Sequence, residues 1–292
     1  MPELPEVETV RARLAPALVG RTIEHAEIYD PLLTRPEPPE AVAAELVGER
    51  VEDVRRRGKY LIFAFESGRY FLVHLRMTGT FELPASLAAD SYRRAVLTLD
   101  DGSGVVYRDM RRFGIWLLLE PGELDAYLGA KVGGEPLDRA FTTARFARAL
   151  AGRRAPIKGA LLDQRAVAGV GNIYADEALW RAGVHPLTPA GALAPEQIAA
   201  LRSALRHVLR TGITRQGATL RTFRDPDGRP GRMQTAFRVY GRADEPCERC
   251  GTPIAKTRVA GRGTWYCPSC QRLAAEGGEP GRRAAATKTA TS

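Results

Sequence analysis

Lys131-Val132-Gly133-Gly134-Glu135-Pro136 (KVGGEP) is where this 292-residue chain changes its periodicity, and that change decides the fold class. Before it, from Arg21 to Leu119, apolar residues come in short runs: RTIEHAEIY, YLIFAF, YFLVHL, RAVLTLD, VVYRD and IWLLL. Runs of that length, rich in β-branched and aromatic residues, read as strands. Glu66-Ser67-Gly68-Arg69 and Asp101-Gly102-Ser103-Gly104 have hairpin-turn chemistry, and a two-layer β-sandwich is the economical way to bury such strands. After KVGGEP the spacing becomes helical, over roughly 142–151, 156–165, 172–182 and 195–211. Gly169-Val170-Gly171-Asn172 interrupts these helices where two would otherwise abut. The chain is therefore α+β, divided near residues 131–140.

The outer segments complete the plan. Residues 5–18 (PEVETVRARLAPAL) space Val7, Val10, Leu14 and Leu18 for a helix, with Pro5 suited to its first turn and Glu6 and Glu8 facing the positive end of its dipole. Residues 212–236 lack periodicity and carry several Gly and Pro, which predicts a long and functional loop. The only cysteines, Cys247, Cys250, Cys267 and Cys270, form C-x2-C, sixteen residues, C-x2-C. That spacing suits a four-thiolate zinc ribbon, whereas two disulfides would leave the twin knuckles unexplained. Residues 272–292 are rich in Ala, Gly and Thr and are expected to be disordered.

Charge narrows the partner. The formal net charge is +9, and residues 202–242 alone hold ten arginines, no lysine and two acids, Asp225 and Asp227. An arginine-only surplus suits phosphate and base edges, although a solvated basic face would look similar. No apolar run approaches the roughly 20 residues of a membrane span, and the opening lacks a signal-peptide layout. A cytoplasmic protein that binds a polyanion is expected.

The first residues carry the strongest chemistry. Removal of Met1 would leave the ring nitrogen of Pro2 as a secondary amine, able to form a Schiff base if an acid/base partner is close. Glu3 is the adjacent candidate. Arg55-Arg56-Arg57-Gly58-Lys59-Tyr60 reads as a basic turn entering a strand, with Lys59 facing either a phosphate or a reacting oxygen, or else standing as a rim lysine. His74-Leu75-Arg76-Met77 and Arg108-Asp109-Met110-Arg111-Arg112-Phe113-Gly114 follow strands. Met77, Arg111 and Phe113 on loop tips could enter a base stack in place of a flipped base, with core packing as the plain alternative for Met77 and Phe113.

Together MPELPEVETV, RRGKYL, HLRMTG, DMRRFG, KGALLDQRAVAGVGNIYADEALW and AGRGTWYCPSCQ, in that order, resemble the bacterial formamidopyrimidine-DNA glycosylase family. The resemblance implies base-excision enzymes that remove 8-oxoguanine and formamidopyrimidines from double-stranded DNA. It implies a catalytic sandwich over 1–135, a helix–two-turns–helix DNA-binding domain with a lesion-capping loop over 136–236, and a zinc-finger ribbon over 237–271. Pro2 would attack C1′, Glu3 would handle protons at the sugar, and Lys59 would assist and contact DNA. Met77, Arg111 and Phe113 would fill the duplex gap. Asn172, Lys158 and His74 would hold the backbone, with Asn172 at a helix N-terminus suited to phosphate. Arg262, at the tip of the zinc hairpin, would reach the same phosphates and counts with the catalytic set. One structural Zn2+ on the four cysteines would be the cofactor, with no open position for water, and the protein would work as a monomer.

Three departures from the family pattern stand out. Met110 replaces a usual proline, Arg232 stands where many relatives have an aromatic residue, and the tail after Gln271 is long. Two rivals share parts of the pattern. An endonuclease VIII-like glycosylase for oxidised pyrimidines usually carries Gly where this chain has Leu4, and a non-catalytic zinc-dependent damaged-DNA binder would need neither Pro2, Glu3 nor Lys59.

Overall fold

The structure is a computed structural model, and it describes residues 1–83 and 90–273. The tail expected to be disordered therefore lies outside the described residues from 274 onward. The chain runs α1 (Leu4–Leu18), β1 (Ile23–Ile28), α2 (Pro39–Leu46), β2 (Val51–Arg57), β3 (Tyr60–Phe65), β4 (Tyr70–His74), β5 (Gly79–Glu82), β6 (Arg93–Leu99), β7 (Gly104–Asp109) and β8 (Ile115–Leu119). Helices follow: α3 (Glu123–Lys131), α4 (Thr143–Leu150), α5 (Ile157–Leu162), α6 (Asn172–Ala182) and α7 (Pro195–Thr214), then the hairpin β9 (Ala255–Val259) and β10 (Arg262–Tyr266).

The strands form two antiparallel four-stranded sheets, in the orders β1-β6-β7-β5 and β2-β3-β4-β8. Their facing sides enclose Phe63, Phe71, Phe81, Tyr107 and Trp116, with rings meeting edge to face, as in Phe71 against Trp116 at 4.8 Å and 82°. Aromatic pairs in this arrangement add about 0.5–1.5 kcal/mol each beyond the area they bury. The second core, built by α4 to α7, holds Phe146, Leu161, Tyr174, Leu179 and Leu205.

Helix α1 joins the two cores. Val7, Val10, Leu14 and Leu18 are buried in the sandwich core, while Leu4, one turn earlier, packs into the helical core. The first residues of the chain therefore lie in the seam between the two halves, held from both sides.

Several elements escaped the apolar pattern, and one changes the site. Arg55, Arg56 and Arg57 are not a turn but the end of β2, with Arg57 opposite Tyr60 across a tight turn at Gly58 and Lys59. A bulge between Val51 and Asp53 breaks the period-two alternation of β2, and its charged residues hide the strand. Gly58 has φ of +58°, a conformation most residues avoid. Among the described residues, no helix is long and apolar enough to cross a membrane.

Candidate active site and nucleic-acid interface

The GVGN break is a seat for the N-terminus. Glu3, 2% exposed, accepts hydrogen bonds from the backbone N–H groups of Ile173 (3.0 Å) and Tyr174 (3.4 Å) in the first turn of α6. A Cβ on Gly171 would sit 2.4 Å from the Glu3 Cδ, and one on Gly169 would sit 2.6 Å from the Leu4 Cβ, so both positions need glycine. The Leu4 N–H donates to the Gly169 carbonyl at 3.0 Å. Two of the first-turn donors of α6, those of Ile173 and Tyr174, are thus taken by the Glu3 carboxylate, and the positive end of the helix dipole favours that charge.

Glu6 is buried beside it and knits three segments. It accepts from the Glu3 N–H (2.8 Å), the Tyr174 hydroxyl (2.9 Å) and the Ala218 N–H in the 212–236 loop (2.7 Å). Burial and then the neighbouring Glu3 carboxylate push its pKa up to about 7. Sequence reading treats Glu6 mainly as a first-turn charge, because the loop it anchors lies 212 residues away.

Lys59, 5% exposed, rides on the β2–β3 turn. Glu135 of KVGGEP clamps that turn, accepting from the Gly58 N–H and from both terminal nitrogens of Arg56 (3.1 and 3.0 Å). Arg56 also donates to Glu8 of α1 at 3.1 Å, so the turn, the interdomain linker and the N-terminal helix are tied together. Burial lowers the Lys59 pKa, opposed by the carboxylates of Glu3 and Glu6. Burial raises that of Glu3, opposed first by Lys59. Both shifts bring proton transfer closer to neutral pH, a common property of catalytic groups.

A cavity of about 570 Å³ opens over this cluster, lined by Pro2, Glu6, Met77, Arg111, Phe223 and Tyr240 among others. Met77 is half-buried in its wall, whereas Phe113 is 50% exposed and Met110 49%. The Arg111 guanidinium lies 4.7 Å from the centroid of the Phe113 ring. Asp109, 1% exposed, shapes this loop by accepting from the N–H groups of Arg111 (3.1 Å), Phe113 (2.9 Å) and Gly114 (2.7 Å). Arg112, at φ of +57°, makes a bidentate pair with Asp30 at 2.9 and 2.8 Å. The sequence reading overlooked both aspartates; an Asp just before a turn, able to bond the backbone ahead of it, was the available signal for Asp109.

His74 is 9% exposed and its Nδ1 accepts from the Arg76 N–H at 3.0 Å. Burial, with the Arg76 and Lys59 charges adding, pushes its pKa down to about 3, so it is a neutral ring with its proton on Nε2. Arg262 is exposed at the tip of the β9–β10 hairpin. The Asn172 amide donates to the Gly263 carbonyl at 3.1 Å. Lys158 departs from expectation. It is fully buried, and its ammonium donates to the Gly263 carbonyl (2.9 Å) and the Thr264 hydroxyl (2.8 Å) and pairs with Asp176 at 2.7 Å, which leaves no face for a phosphate.

The four cysteines fit one structural zinc. Their Sγ atoms all lie within 4.8 Å of one another, with separations of 3.5 Å for Cys250–Cys267 and 4.0 Å for Cys247–Cys270. A tetrahedron with Zn–S bonds of about 2.3 Å has edges of about 3.8 Å. The Trp180 indole N–H points at the Cys247 sulfur (3.4 Å), the kind of outer donor that steadies a thiolate ligand.

Comparison with known proteins agrees along the chain. Residues 1–116 match the formamidopyrimidine-DNA glycosylase N-terminal domain, residues 132–224 the formamidopyrimidine-DNA glycosylase H2TH domain, and residues 244–273 a zinc finger found in FPG and IleRS. This chain belongs to the formamidopyrimidine-DNA glycosylase family. It is 49% identical over 275 residues to the formamidopyrimidine-DNA glycosylase of Chloroflexus aggregans, covering 94% of this chain and 99% of that one. The crystal structure of MutM (Fpg) from Thermus thermophilus superposes with a TM-score of 0.83 at 44% identity, covering 92% of this chain and 98% of that one. A structure of MutM in complex with DNA containing carbocyclic 8-oxo-G gives 0.86 at 37%, covering 93% and 100%.

In this member of the glycosylase family, much of the arginine surplus of residues 202–242 serves the fold. Arg206 donates to the carbonyls of Pro136 (2.7 Å) and Asp138 (2.8 Å), and Arg202 to that of Phe141. Arg242 pairs with Glu245 and Glu248 at 2.8 Å each, and Arg238 also pairs with Glu248. Charge counting alone overstates how many of these arginines can meet DNA.

Proposed function

We propose that this protein is a bifunctional DNA glycosylase that excises oxidised purines from duplex DNA and then cleaves the strand at the abasic site. The observation that carries the mechanism is the seat of Pro2 and Glu3, two buried residues fixed between the domains, with Pro2 and Glu6 in the wall of a cavity of about 570 Å³. With Met1 removed, the Pro2 nitrogen attacks C1′ as the glycosidic bond breaks and the base leaves with the electron pair. Glu3 moves protons at the sugar, and Lys59 supplies a second cation beside it. The resulting iminium is a cationic electron sink, so the C2′ proton is acidified and the 3′ phosphate leaves by β-elimination, followed by the 5′ phosphate by δ-elimination. A secondary amine suits this because its Schiff base is always charged.

Met77, Arg111 and Phe113 fill the space vacated by the flipped nucleotide, and the loop at 216–233 closes over its base. His74, Asn172 and Arg262 hold the phosphates around the lesion. The ribbon zinc, held by Cys247, Cys250, Cys267 and Cys270, keeps the Arg262 hairpin folded. The protein works in the cytoplasm, on nucleoid DNA.

Borohydride reduction during reaction with a duplex containing one 8-oxoguanine tests this reading. A covalent protein–DNA adduct mapping to Pro2 is expected. Strand cleavage without an adduct, or an adduct on a lysine, overturns the mechanism, and release of thymine glycol in preference to 8-oxoguanine overturns the substrate class.

A further inference from the structure

Lys158 and Asp176 form a closed charge pair at the meeting of α5, α6 and the zinc hairpin. Both side chains are fully buried, 2.7 Å apart. Each also grips β10 directly: Lys158 through the Gly263 carbonyl and Thr264 hydroxyl, and Asp176 by accepting from the Trp265 N–H at 3.1 Å. Three consecutive residues of one strand, Gly263, Thr264 and Trp265, are therefore fastened to two helices by one ion pair. Arg262 immediately precedes them. Asn172, one turn before Asp176 on α6, reaches the same Gly263 carbonyl, so the exposed Arg262 and the half-buried Asn172 are indexed to a common point.

We infer that the Lys158–Asp176 pair is the strut that sets the position of Arg262, and that Lys158 is a positioning residue which touches no phosphate. A buried ion pair is a poor source of stability, since desolvation offsets most of its attraction, but it is a good source of registry, because any other placement of the strand strands a charge. Zinc would keep the hairpin folded at its base, at Cys267 just past the far end of β10 from Arg262. The strut fixes where the tip stands relative to α6.

The inference rests on the DNA-lesion reading for its probe, a duplex carrying one tetrahydrofuran abasic analogue. Wild-type protein that fails to prefer this duplex to an undamaged one counts against that reading and leaves the strut to be judged by hairpin order alone, followed by hydrogen exchange of the Gly263 and Trp265 amides. Given binding, Lys158→Met weakens affinity about tenfold, the scale of one lost charge-assisted contact. In an Arg262→Ala background the same substitution changes affinity less than twofold and leaves the salt dependence unchanged. If Lys158 were a phosphate ligand, it would lower the slope of log K against log salt by about 0.9 in both backgrounds, and that result overturns the inference. Should Lys158→Met fail to fold, the double variant Lys158→Met/Asp176→Leu, which leaves no lone buried charge, decides instead. With Arg262 present its affinity is expected to fall about tenfold, and in an Arg262→Ala background by less than twofold with an unchanged salt slope; wild-type affinity with Arg262 present, or a slope lowered by about 0.9 in the Arg262→Ala background, overturns the proposal.

Discussion

Two clusters of buried charge flank the start of α6, and they look alike in burial and in the direction of their pKa shifts. On one side lie Glu3, Glu6 and Lys59; on the other, Lys158 and Asp176. Burial raises a carboxylate to about 7 in each, Glu6 in the first and Asp176 in the second, and lowers the lysine in each. The difference is access. The first cluster reaches open space, Glu6 in a cavity lined also by Pro2 and the 212–236 loop and Lys59 in a second one beside His74, whereas the second is sealed by the backbone of β10. Perturbed titration marks where charge was desolvated, and only an opening to a substrate-sized space turns that into chemistry.

The comparison breaks if the open cluster turns out to be a second strut. Glu3→Gln is expected to reduce base excision by about 10²- to 10⁴-fold, the usual worth of a positioned proton-transfer group, with duplex affinity and melting temperature little changed. Melting temperature falling in step with single-turnover rate would put Glu3 in the structural class.

A pH series separates the clusters further. Glu6 has a folded pKa of about 7 against an ordinary 4.5, so its protonated form is favoured by folding. That contribution is complete below about pH 4.5 and is lost as pH rises through 7, amounting to at most about 3 kcal/mol. Urea unfolding of wild type and Glu6→Gln at pH 5 and pH 7.5 should show wild type losing stability relative to the variant as pH rises; parallel curves would deny the shift.

The seat itself can be pushed. Gly171→Ala places a methyl against the Glu3 carboxyl group, and overpacking of that kind costs about 1–3 kcal/mol. Stability and excision rate should fall together here, unlike in Glu3→Gln, and an unaltered rate would show that Glu3 need not sit where it does. The smallest effect is expected at the exposed wedge. Phe113→Ala should weaken lesion-duplex binding about tenfold by removing one stacking face, without changing melting temperature, since the ring is half exposed and rests on Arg111. Loss of folding stability there would return Phe113 to the core.

Much of this was readable without coordinates where the signal is local. The zinc ribbon follows from cysteine spacing, and helix α6 begins at Asn172 and ends at Ala182, the limits its periodicity suggested. β2 was not readable, because its bulge and arginines conceal the alternation, and with it went the true setting of Lys59 on a two-residue turn. Asp109 and Asp30 were missed for a related reason: each looks like an ordinary loop acid until the N–H groups and guanidinium it serves are in place.

The sequence by itself determined the α+β division at KVGGEP, the order of motifs, the thiolate set and the chemical identity of the candidate nucleophile and its partner. Tertiary structure alone decided which donors and charges remain free to meet DNA. The Ile173 N–H at the α6 N-terminus was spent on Glu3, 170 residues away, and Lys158 on a hairpin 105 residues away. A side chain's chemistry is written in its name, but its hydrogen-bonding capacity is finite, and what has already been used is set by neighbours that only folding brings within about 3 Å.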